Sequence, residues 1–522
     1  MALPLSLQDR VERAFCEALH QVAARPSLAR FGEAIDVARR QLHEPMRVAL
    51  GGRIKAGKST MANAFLGEIL VPTGREELTF NVNRLRYGER RELVVHYRDD
   101  RPDEHRSLEE LEELTRRREQ NREALSGIDH IEVLYDNELL REFNLIDTPG
   151  LESYFSEDSQ NTLDFLNLSP AEVNAESERE ARNADAVLWL FTRSLAGSEQ
   201  ELVGEFTGPA LGNASPINAI GVLTRTDLYW GDVDDPMQTG RQICSRLHDE
   251  PGVKRRFYAL RPASGLIGAG AQTLGPEDLA AIGGLASLGD ERLRDLLRNA
   301  KRFVQRKDED IPVAPGERKQ LFDRLGAYGI LLATRIARDG GQDPNRLTAE
   351  LLQRSGIGEL RELVISHFGR RAYLIKLTTA LRRVRVACFV ERRAADASDR
   401  AAVDDVARAF EALQEQEHGF AELDALRAYY AGRLSFGESD AGELLRIVGE
   451  DGTSIYARLG LDAGGTPEQL AATAEERLRY WRARSNDFGM DRKTLRAARV
   501  MARSYERALH RARQLQAMAS EY

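Results

Sequence analysis

The chain has 522 residues, of which 42% are hydrophobic and 30% are charged, and its formal net charge at pH 7 is -9. This length allows two or three domains with hydrophobic cores. The acidic balance argues against nonspecific nucleic-acid binding, because proteins of that class carry a basic excess. Three scattered cysteines lack metal-ligand spacing and indicate free thiols in a reducing compartment: Cys16, Cys244 and Cys388.

The opening residues MALPLSLQDRVERAF lack the basic segment and apolar core of a secretory signal. No apolar run approaches the ~18–20 residues that are needed to cross a bilayer. Both observations predict a cytoplasmic protein that would meet a membrane only from its surface.

The first part of the chain alternates helical and strand patterns. Residues 6–43 have helical periodicity interrupted at Pro26, and Pro45 precedes the buried-strand run MRVALGG. STMANAFLG predicts the next helix, and RSLEELEELTRRREQNREAL predicts an exposed one. Such alternation predicts an α/β domain, with a mainly parallel sheet and helices on both faces. The further predicted strands are FNVNRLRYG, ELVVHYR, HIEVLY, FNLID, AVLWLFT, NAIGVLT and RFYALRP.

From about residue 315 the strand patterns stop, and long amphipathic helical patterns follow. They predict an α-helical bundle. The N-terminal helices need a partner surface, so we expect both chain ends to form this bundle. The predicted organisation is N-terminal helices over 1–44, an α/β domain over 45–310, and a helical bundle region over 311–522.

One motif predicts a phosphate-binding loop. Gly52, Gly57, Lys58 and Ser59 fit the spacing G-x-x-x-x-G-K-S between a predicted strand and a predicted helix. Backbone N–H groups of such a loop surround the phosphates, and glycine permits that close approach. The lysine reaches the β- and γ-phosphates, and the serine hydroxyl binds Mg²⁺. A chance match on a glycine-rich turn is the alternative, and the flanking strand and helix argue against it.

Two later segments predict a sensor of the γ-phosphate. Thr79 lies about 20 residues after the loop and would complete the Mg²⁺ shell only when the γ-phosphate is present. In LIDTPG, Asp147 would orient the water shell of the metal, and Gly150 would donate its N–H to the γ-phosphate. Each segment alone is compatible with an ordinary turn or strand start. Together with the loop they predict a nucleotide switch.

The segment GVLTRTDL predicts the choice of base. A carboxylate at Asp227 can accept hydrogen bonds from N1–H and the 2-amino group of guanine, a donor pair that adenine lacks. Thr224 fits the usual pattern, whereas Arg225 stands in place of lysine and would cover the base with its aliphatic stem. In RPASGL, Ser264 and Gly265 would place a backbone N–H at guanine O6.

These motifs give three sets of candidate residues. The predicted nucleotide-binding residues are Gly52, Arg53, Lys55, Ala56, Gly57, Lys58, Ser59, Thr60, Gly150, Thr224, Arg225, Asp227, Ser264 and Gly265. The predicted Mg²⁺ ligands are Ser59, Thr79 and Asp147, and the predicted catalytic residues are Lys58, Thr79 and Lys55.

The segments RVALGGRIKAGKSTMANAFLGEILVPTG, RLRYG, LIDTPGL and TRTD, with Thr79, resemble the GTPase domain of bacterial dynamin-like proteins. GERKQLFDRLGAYGI, LLQRSGIGELRELV, FGRRAYLIKLTTALRRVR and LLRIVGEDGTSIYARLGLD are similar to a short actinobacterial branch, the isoniazid-inducible dynamin-like proteins of mycobacteria. The likeness covers most of residues 10–465 and is less specific in the helical portion.

This resemblance implies a P-loop GTPase domain that pairs face to face with another across the nucleotide, which stimulates GTP hydrolysis. A helical neck then converts the cycle into membrane remodelling. The expected setting is the bacterial cytoplasm, including the inner face of the cell membrane, with a second dynamin-like protein as a further partner.

Two departures from the dynamin pattern matter. Eukaryotic dynamins carry Gln-Ser where this chain has Ile54 and Lys55, and those residues help to hold the attacking water and a monovalent cation. The ammonium of Lys55 at the cation position would stabilise the transition state; the alternative is a solvated lysine. Arg53 is a second candidate electrophile.

The second departure is length, because no apolar paddle or membrane hairpin follows the α/β domain. The basic helices 370–393 and 492–513 would contact anionic lipid or, alternatively, form solvated or ion-paired faces.

The sequence therefore predicts a Mg²⁺-dependent dynamin-like GTPase that remodels or maintains membranes. Two alternatives stay open: a soluble regulatory switch with a protein effector, and a poorly hydrolysing nucleotide-binding subunit of a larger dynamin-like assembly.

Overall fold

The computed structural model describes residues 7–52, 55–71, 82–97, 99, 101–115, 127–147, 184–192, 207–208, 212–213, 216–305, 310–340, 343–369, 371–450, 452, 454–487 and 489–520. The chain divides into two compact units. The sheet unit comprises Pro45–Ala214 and Asn218–Ser366, and the helical unit comprises Met1–Glu44, Ser215–Ile217 and His367–Tyr522.

The sheet unit is organised around a nine-stranded sheet with the strand order β9-β8-β7-β1-β6-β2-β5-β3-β4. The five strands from β9 to β6 run parallel to one another, β2 is antiparallel to β6, and β3 and β4 are antiparallel to their neighbours. The expected mainly parallel sheet is confirmed. The strands are β1 Met46–Gly52, β2 Val82–Tyr87, β3 Glu92–Tyr97, β4 Glu104–Arg106, β5 Ile128–Tyr135, β6 Phe143–Asp147, β7 Ala186–Phe191, β8 Ala219–Leu223 and β9 Leu260–Pro262.

The α-helices within the described residues span both units. In chain order they are α1 Leu7–Ala23, α2 Ala29–His43, α3 Lys58–Leu66, α4 Leu111–Thr115, α5 Leu139–Glu142, α6 Pro236–His248, α7 Pro251–Lys254, α8 Gly265–Gln272, α9 Pro276–Ala286, α10 Asp290–Leu297, α11 Ala300–Gln305, α12 Pro315–Gly340, α13 Pro344–Arg354, α14 Ile357–Val364, α15 Ala372–Ala394, α16 Ala397–Gln416, α17 His418–Tyr430, α18 Glu438–Ile447, α19 Ile455–Leu459, α20 Pro467–Arg484 and α21 Arg492–Ser520.

Helices cover both faces of the parallel strands. Phe65 of α3 makes an edge contact with Phe143 of β6, with ring centroids 6.4 Å apart. Trp189 of β7 lies in a core with Cys244 of α6, and its strand neighbour Gly51 is on the same face. Phe143 pairs with Met46 of β1, and Met46 and Gly51 are an odd number of residues apart in that strand. Because successive strand residues alternate faces, α3 and α6 lie on opposite faces. Strands covered on both sides are apolar almost throughout, as the fully buried β7 illustrates.

The sheet unit extends further along the chain than the predicted boundary at 310. Leu325, Ile330 and Leu331 of α12 lie in one hydrophobic core with Ile267 of α8 and Ile282 of α9. These apolar side chains find their burial within the sheet unit, which therefore includes α12, α13 and α14 and ends at Ser366.

Among its described residues, the helical unit contains two hydrophobic cores. The first joins α1 and α2 to α15 and α16; Phe15, for example, packs against Phe410 with ring centroids 4.7 Å apart. The second lies among α17, α18, α19, α20 and α21 and includes the fully buried Trp481. Local signals fix several helix starts: Thr466 and Gln469 form a capping box at the start of α20, next to Pro467.

Some local predictions differ from the structure. Strand β4 was not predicted, and RFYALRP forms a strand only over its last three residues. The charged segment predicted as one helix contains a 3₁₀ turn and the short helix α4 up to Thr115, and its continuation lies outside the described residues. None of the helices in the described ranges combines the length and apolar character that a membrane span requires.

Candidate nucleotide-binding site

The candidate site lies at the carboxyl edge of the parallel strands. The phosphate loop follows β1, Asp147 is the last residue of β6, and Thr224 and Ser264 follow β8 and β9. Residues Leu50 and Asp147 are neighbours in the ladder between β1 and β6. Because parallel strands end at the same edge, the topology brings together residues that are far apart in sequence, as in other open α/β sheets.

Two glycines shape the described part of the phosphate loop. Gly52 has φ 135°, and a Cβ at this position would collide with the carbonyl oxygen of Leu190 on β7. Gly57 has φ 91° and is the N-cap of α3, so the helix begins at Lys58 with its N-terminus at the loop. Lys55, in contrast, adopts φ 63° and is exposed. The glycines thus permit a backbone path that directs a helix N-terminus to the site, a favourable position for phosphate.

A lysine, a serine and a carboxylate form the polar centre of the site. Lys58 is buried, and its Nζ donates to the carbonyl oxygen of Gly52 at 3.1 Å. Ser59 Oγ donates to Asp147 Oδ2 at 2.9 Å. Burial raises the pKa of Asp147 to about 6, against the lowering effects of Lys58 and Ser59. The carboxylate is therefore held in a low-dielectric position, where a cation would stabilise its ionised form.

These residues fit Mg²⁺. Asp147 is fully buried, and its Oδ1 has no hydrogen-bond partner among the groups that the structure describes. Mg²⁺ binds oxygen ligands and usually keeps several water molecules in its shell. A serine hydroxyl at the start of α3 beside a carboxylate with one unsatisfied oxygen offers such a metal one direct ligand and one acceptor for a bound water.

A second polar group lies at the ends of β8 and β9. Ser264 Oγ donates to Asp227 Oδ1 at 2.6 Å and also caps α8 by accepting from the Ile267 N–H. Burial raises the pKa of Asp227, whereas the Ser264 hydrogen bond lowers it. Arg225 has φ 56°, which turns the chain between β8 and Asp227. Ser264 thus fixes one oxygen of the Asp227 carboxylate at the sheet edge.

Thr224 has a different contact from the one expected of a base-binding residue. Its Oγ1 donates to the carbonyl oxygen of Ala56 in the phosphate loop at 2.8 Å. The hydroxyl therefore ties the loop to the turn that carries Asp227. Gly265, at the start of α8, lies close to the backbone of α3 near Thr60, where a Cβ would make ordinary contacts.

Several predicted residues cannot be placed in this geometry. Arg53, Ile54, Thr79 and Gly150 lie outside the described residues. Their assignment to the γ-phosphate and the transition state remains a prediction.

Sequence reasoning missed a glycine beside the carboxylate of Asp227. Gly326 interrupts α12 with φ 66° and ψ 179°. A Cβ at Gly326 would lie 3.2 Å from Leu266 Cδ2 and 3.9 Å from Asp227 Oδ2. The only sequence signal was a glycine inside an amphipathic helical pattern, and helices tolerate single glycines far from any binding site.

A phosphate loop, a buried Ser-Asp pair and a second buried carboxylate on one sheet edge are the arrangement of P-loop nucleotide-binding domains of the GTPase class. The family model described as "Dynamin family" matches residues 48–203. The isoniazid-induced protein IniC of Mycobacterium tuberculosis is 30% identical over 509 residues, which cover 96% of this chain and 98% of that protein. The chain belongs to the dynamin family, and the expected resemblance is confirmed.

Two further similarities are more restricted. Dynamin-like protein 2 of Campylobacter jejuni is 29% identical over 160 residues, which are 31% of this chain and 23% of that protein. A solved structure of an oligomerised bacterial dynamin pair aligns with 86% of this chain and 79% of its own, at 15% identity and a TM-score of 0.31. A TM-score of this size carries no argument about architecture or assembly.

Proposed function

We propose that this protein is a Mg²⁺-dependent GTPase that hydrolyses GTP to GDP and phosphate by in-line attack of water. The observation that carries the proposal is the placement of two carboxylates on the same sheet edge, each held by a serine through one oxygen. Asp147 is bound by the phosphate-loop residue Ser59 at 2.9 Å, and Asp227 is bound by Ser264 at 2.6 Å. The first suits a metal and its water, and the second suits the guanine donor pair.

Each residue would have a separate task. The buried Lys58 balances charge on the β- and γ-phosphates, and the N–H groups at the start of α3 donate to phosphate oxygens. Bound Mg²⁺ would neutralise the charge that develops on the phosphate oxygens. Ser59 would hold the metal directly, and Asp147 would orient its water. Thr79 and Gly150 are proposed to contact the metal and the γ-phosphate, respectively.

Lys55 is proposed as an internal replacement for the monovalent cation of other dynamins. Its φ of 63° and its exposure leave the ammonium free to reach toward a bound nucleotide. Turnover is then expected to be insensitive to potassium and sodium in the wild type. In Lys55→Ala, hydrolysis is expected to fall by about 10²-fold, as for other lost transition-state donors. A strong potassium requirement of the wild type would contradict this role.

The output is proposed to be movement of helical elements coupled to pairing of GTPase domains, with either a second copy or a second dynamin-like protein. The cellular setting is proposed to be the cytoplasmic face of a bacterial membrane. The similarity to IniC supports only the family context of this proposal.

An anionic membrane surface is a proposed partner of α15. Val386, Phe389 and Val390 are 57–61% exposed at helical spacing, and Arg393 lies over the Phe389 ring. Arg385 of the same helix donates to the neutral Gln414. Exposed apolar groups beside arginine favour an anionic interface. The basic helix α21 is a weaker candidate, because several of its arginines pair with glutamates: Arg503 with Glu506, Arg507 with Glu417 and Arg513 with Glu475.

A second candidate function is a nucleotide-binding subunit that hydrolyses poorly and works with another dynamin-like chain. Ile54 in place of the water-positioning glutamine of other dynamins favours it. The membrane-independent regulatory switch has no comparable observation in its favour.

The deciding experiment measures GTP turnover per molecule against protein concentration, with ATP and Lys58→Ala as controls. Specific activity that rises with concentration, together with inert ATP and an inactive Lys58→Ala, supports a GTPase stimulated by pairing. Flat, near-zero turnover despite measurable GTP binding supports the subunit that depends on a partner. Absence of GTP binding would overturn both proposals.

A further inference from the structure

A buried asparagine next to the proposed metal site has no partner for its side-chain amide. Asn83 of β2 is 0% exposed, and both its Nδ2 and its Oδ1 lack hydrogen bonds to any group that the structure describes. Asn63 of α3 provides a contrast, because it is 2% exposed but fully engaged. Its Nδ2 donates to the Val71 carbonyl at 2.7 Å, and its Oδ1 accepts from the N–H groups of Leu70 and Val71.

Burial of an amide without hydrogen bonds lowers the stability of the folded protein, so such a group calls for a specific explanation. A buried apolar residue of similar size would avoid the cost altogether. The strand itself offers no reason for an amide, because the next residue on the same face is the buried Leu85. The polar atoms of Asn83 therefore call for a partner other than the groups that the structure describes, and a bound ligand can supply one.

The position of Asn83 identifies that partner. Asn83 and Asp147 are directly opposite each other in the antiparallel ladder between β2 and β6. Opposite residues share a face of the sheet, with Cβ atoms about 4.5–5.5 Å apart. Asp147 Oδ1 is likewise buried without a partner, while its Oδ2 accepts from Ser59. An unsatisfied donor and two unsatisfied acceptors therefore lie side by side next to the first residues of α3.

A water bound to Mg²⁺ suits the two acceptors, because its oxygen faces the metal and its two hydrogens can be donated to Asn83 Oδ1 and Asp147 Oδ1. Mg²⁺ retains several of its waters in nucleotide sites. The residues that orient such outer groups usually lie one step from the metal and have large effects on its affinity.

We propose that Asn83 is a positioning residue whose carboxamide, together with Asp147 Oδ1, orders a water of the Mg²⁺ shell in the nucleotide-bound protein. This inference rests on the proposed GTPase function and assigns β2 a direct part in it. Binding of the metal would then stabilise β2, the strand that begins three residues after Thr79 in the sequence.

The substitution Asn83→Leu tests the proposal. The proposal predicts that this variant is more stable without nucleotide and binds Mg²⁺ less tightly than the wild type. Leucine removes the unsatisfied amide at similar volume, so the Tm of the nucleotide-free protein is expected to rise. The Mg²⁺ concentration required for half-maximal retention of fluorescent GDP is expected to increase about tenfold or more. Both quantities are measured on the full-length chain without reference to turnover.

Two matched variants separate positioning from general damage. Asn63→Leu removes an equally buried amide whose hydrogen bonds exist without ligand, so its nucleotide-free Tm is expected to fall. Asn83→Thr keeps a donor and an acceptor, and its Mg²⁺ requirement is expected to lie between those of the wild type and Asn83→Leu.

An unchanged Mg²⁺ requirement in Asn83→Leu would overturn the proposal whatever its Tm. So would an increased requirement accompanied by a loss of Tm like that of Asn63→Leu, because that result indicates damage to the sheet. Failure of the proposed function is recognised separately, as absence of Mg²⁺-dependent GDP and GTP binding in the wild type.

Discussion

Two buried carboxylates, Glu450 of the helical unit and Asp147 at the carboxyl edge of the sheet, differ in how many of their oxygens have partners. In the helical unit, the buried Glu450 accepts from Tyr430 at 2.6 Å and from Arg371 at 3.3 Å. At the sheet edge, Asp147 has one satisfied oxygen and one without a partner among the described groups, and the amide of Asn83 beside it has none.

Stability can therefore come from two sources, namely partners within the chain and partners that arrive with a ligand. The carboxylate of Glu450 is compensated by neighbouring side chains, so its contribution to stability should not depend on a ligand. The sheet edge carries groups whose natural partners would arrive with Mg²⁺ and nucleotide. A ligand that binds only the folded protein stabilises it by mass action, and we expect that gain to be concentrated in the sheet unit.

The largest expected effect concerns the base. In Asp227→Asn an amide replaces the carboxylate that we propose accepts from guanine, and its N–H groups suit the C2 carbonyl of xanthine instead. The preference for GTP over XTP is expected to change on the order of 10⁴-fold, measured by competition against fluorescent GDP. Ser264→Ala is the control, because it leaves the carboxylate in place and should weaken binding without changing the preferred base. If Asp227→Asn retained the preference for GTP, guanine recognition could not be assigned to Asp227.

The next effect tests the helical unit. Glu450→Ala leaves Arg371, whose side chain is 8% exposed, without its buried counter-charge. The free energy of unfolding of this unit is expected to fall by about 3–5 kcal/mol, while GTP affinity stays unchanged. Hydrogen exchange would show faster exchange in α15 and α17 than in the wild type, with β1 and β7 unaffected. Loss of GTP affinity in the same variant would break the proposed separation between the two regions.

A smaller effect follows from the pKa of Asp147, which burial raises to about 6. Mg²⁺ requires the ionised carboxylate, so its apparent affinity is expected to fall as pH drops below 6, by up to about tenfold per unit. The nucleotide-free protein behaves in the opposite way. A carboxyl whose pKa is higher in the folded state stabilises the fold at low pH, and this contribution is lost as pH rises through about 6. Titration of Mg²⁺-dependent GDP retention from pH 5 to 8 measures the first effect, and Asp147→Asn should abolish it.

The smallest effect concerns the surface of the helical unit. Glu506 is 39% exposed and pairs with Arg482 at 3.0 Å and with Arg503. In Glu506→Ala the free energy of unfolding is expected to change by less than ~0.5 kcal/mol, because exposed ion pairs contribute little. Chemical denaturation alongside Glu450→Ala gives a matched pair of lost carboxylates. If Glu450→Ala and Glu506→Ala lost equal amounts of unfolding free energy, burial would not determine how much these carboxylates contribute to stability.

Much of the sheet edge could be predicted from local sequence because glycine spacing and strand ends constrain it directly. Gly52, Lys58, Ser59 and Asp147 belong to short motifs whose geometry is set by a strand, a turn and a helix start. The fold class could likewise be predicted, since alternating strand and helix patterns permit few arrangements.

Other features depend on contacts between distant segments. Nothing near Asn83 reveals that it lies opposite Asp147, because that pairing is a property of the ladder between β2 and β6. The role of Thr224 in fixing the Ala56 carbonyl depends in the same way on two segments that meet only in the fold. The sequence did not predict where the sheet unit ends, because an amphipathic pattern does not reveal which surface its helix packs against. In the structure, α12 packs on α8 and α9.

The first core of the helical unit has a consequence for synthesis of the chain. In this core, Phe15 of α1 and Ile35 of α2 pack with Val403 and Leu413 of α16. Most of the sheet unit lies between these two parts of the chain in sequence. During translation, these apolar faces leave the ribosome before their partners exist. At ~5–20 residues per second, the delay is on the order of tens of seconds. The nascent chain should therefore be a substrate for chaperones during that interval, while the sheet unit is already able to fold.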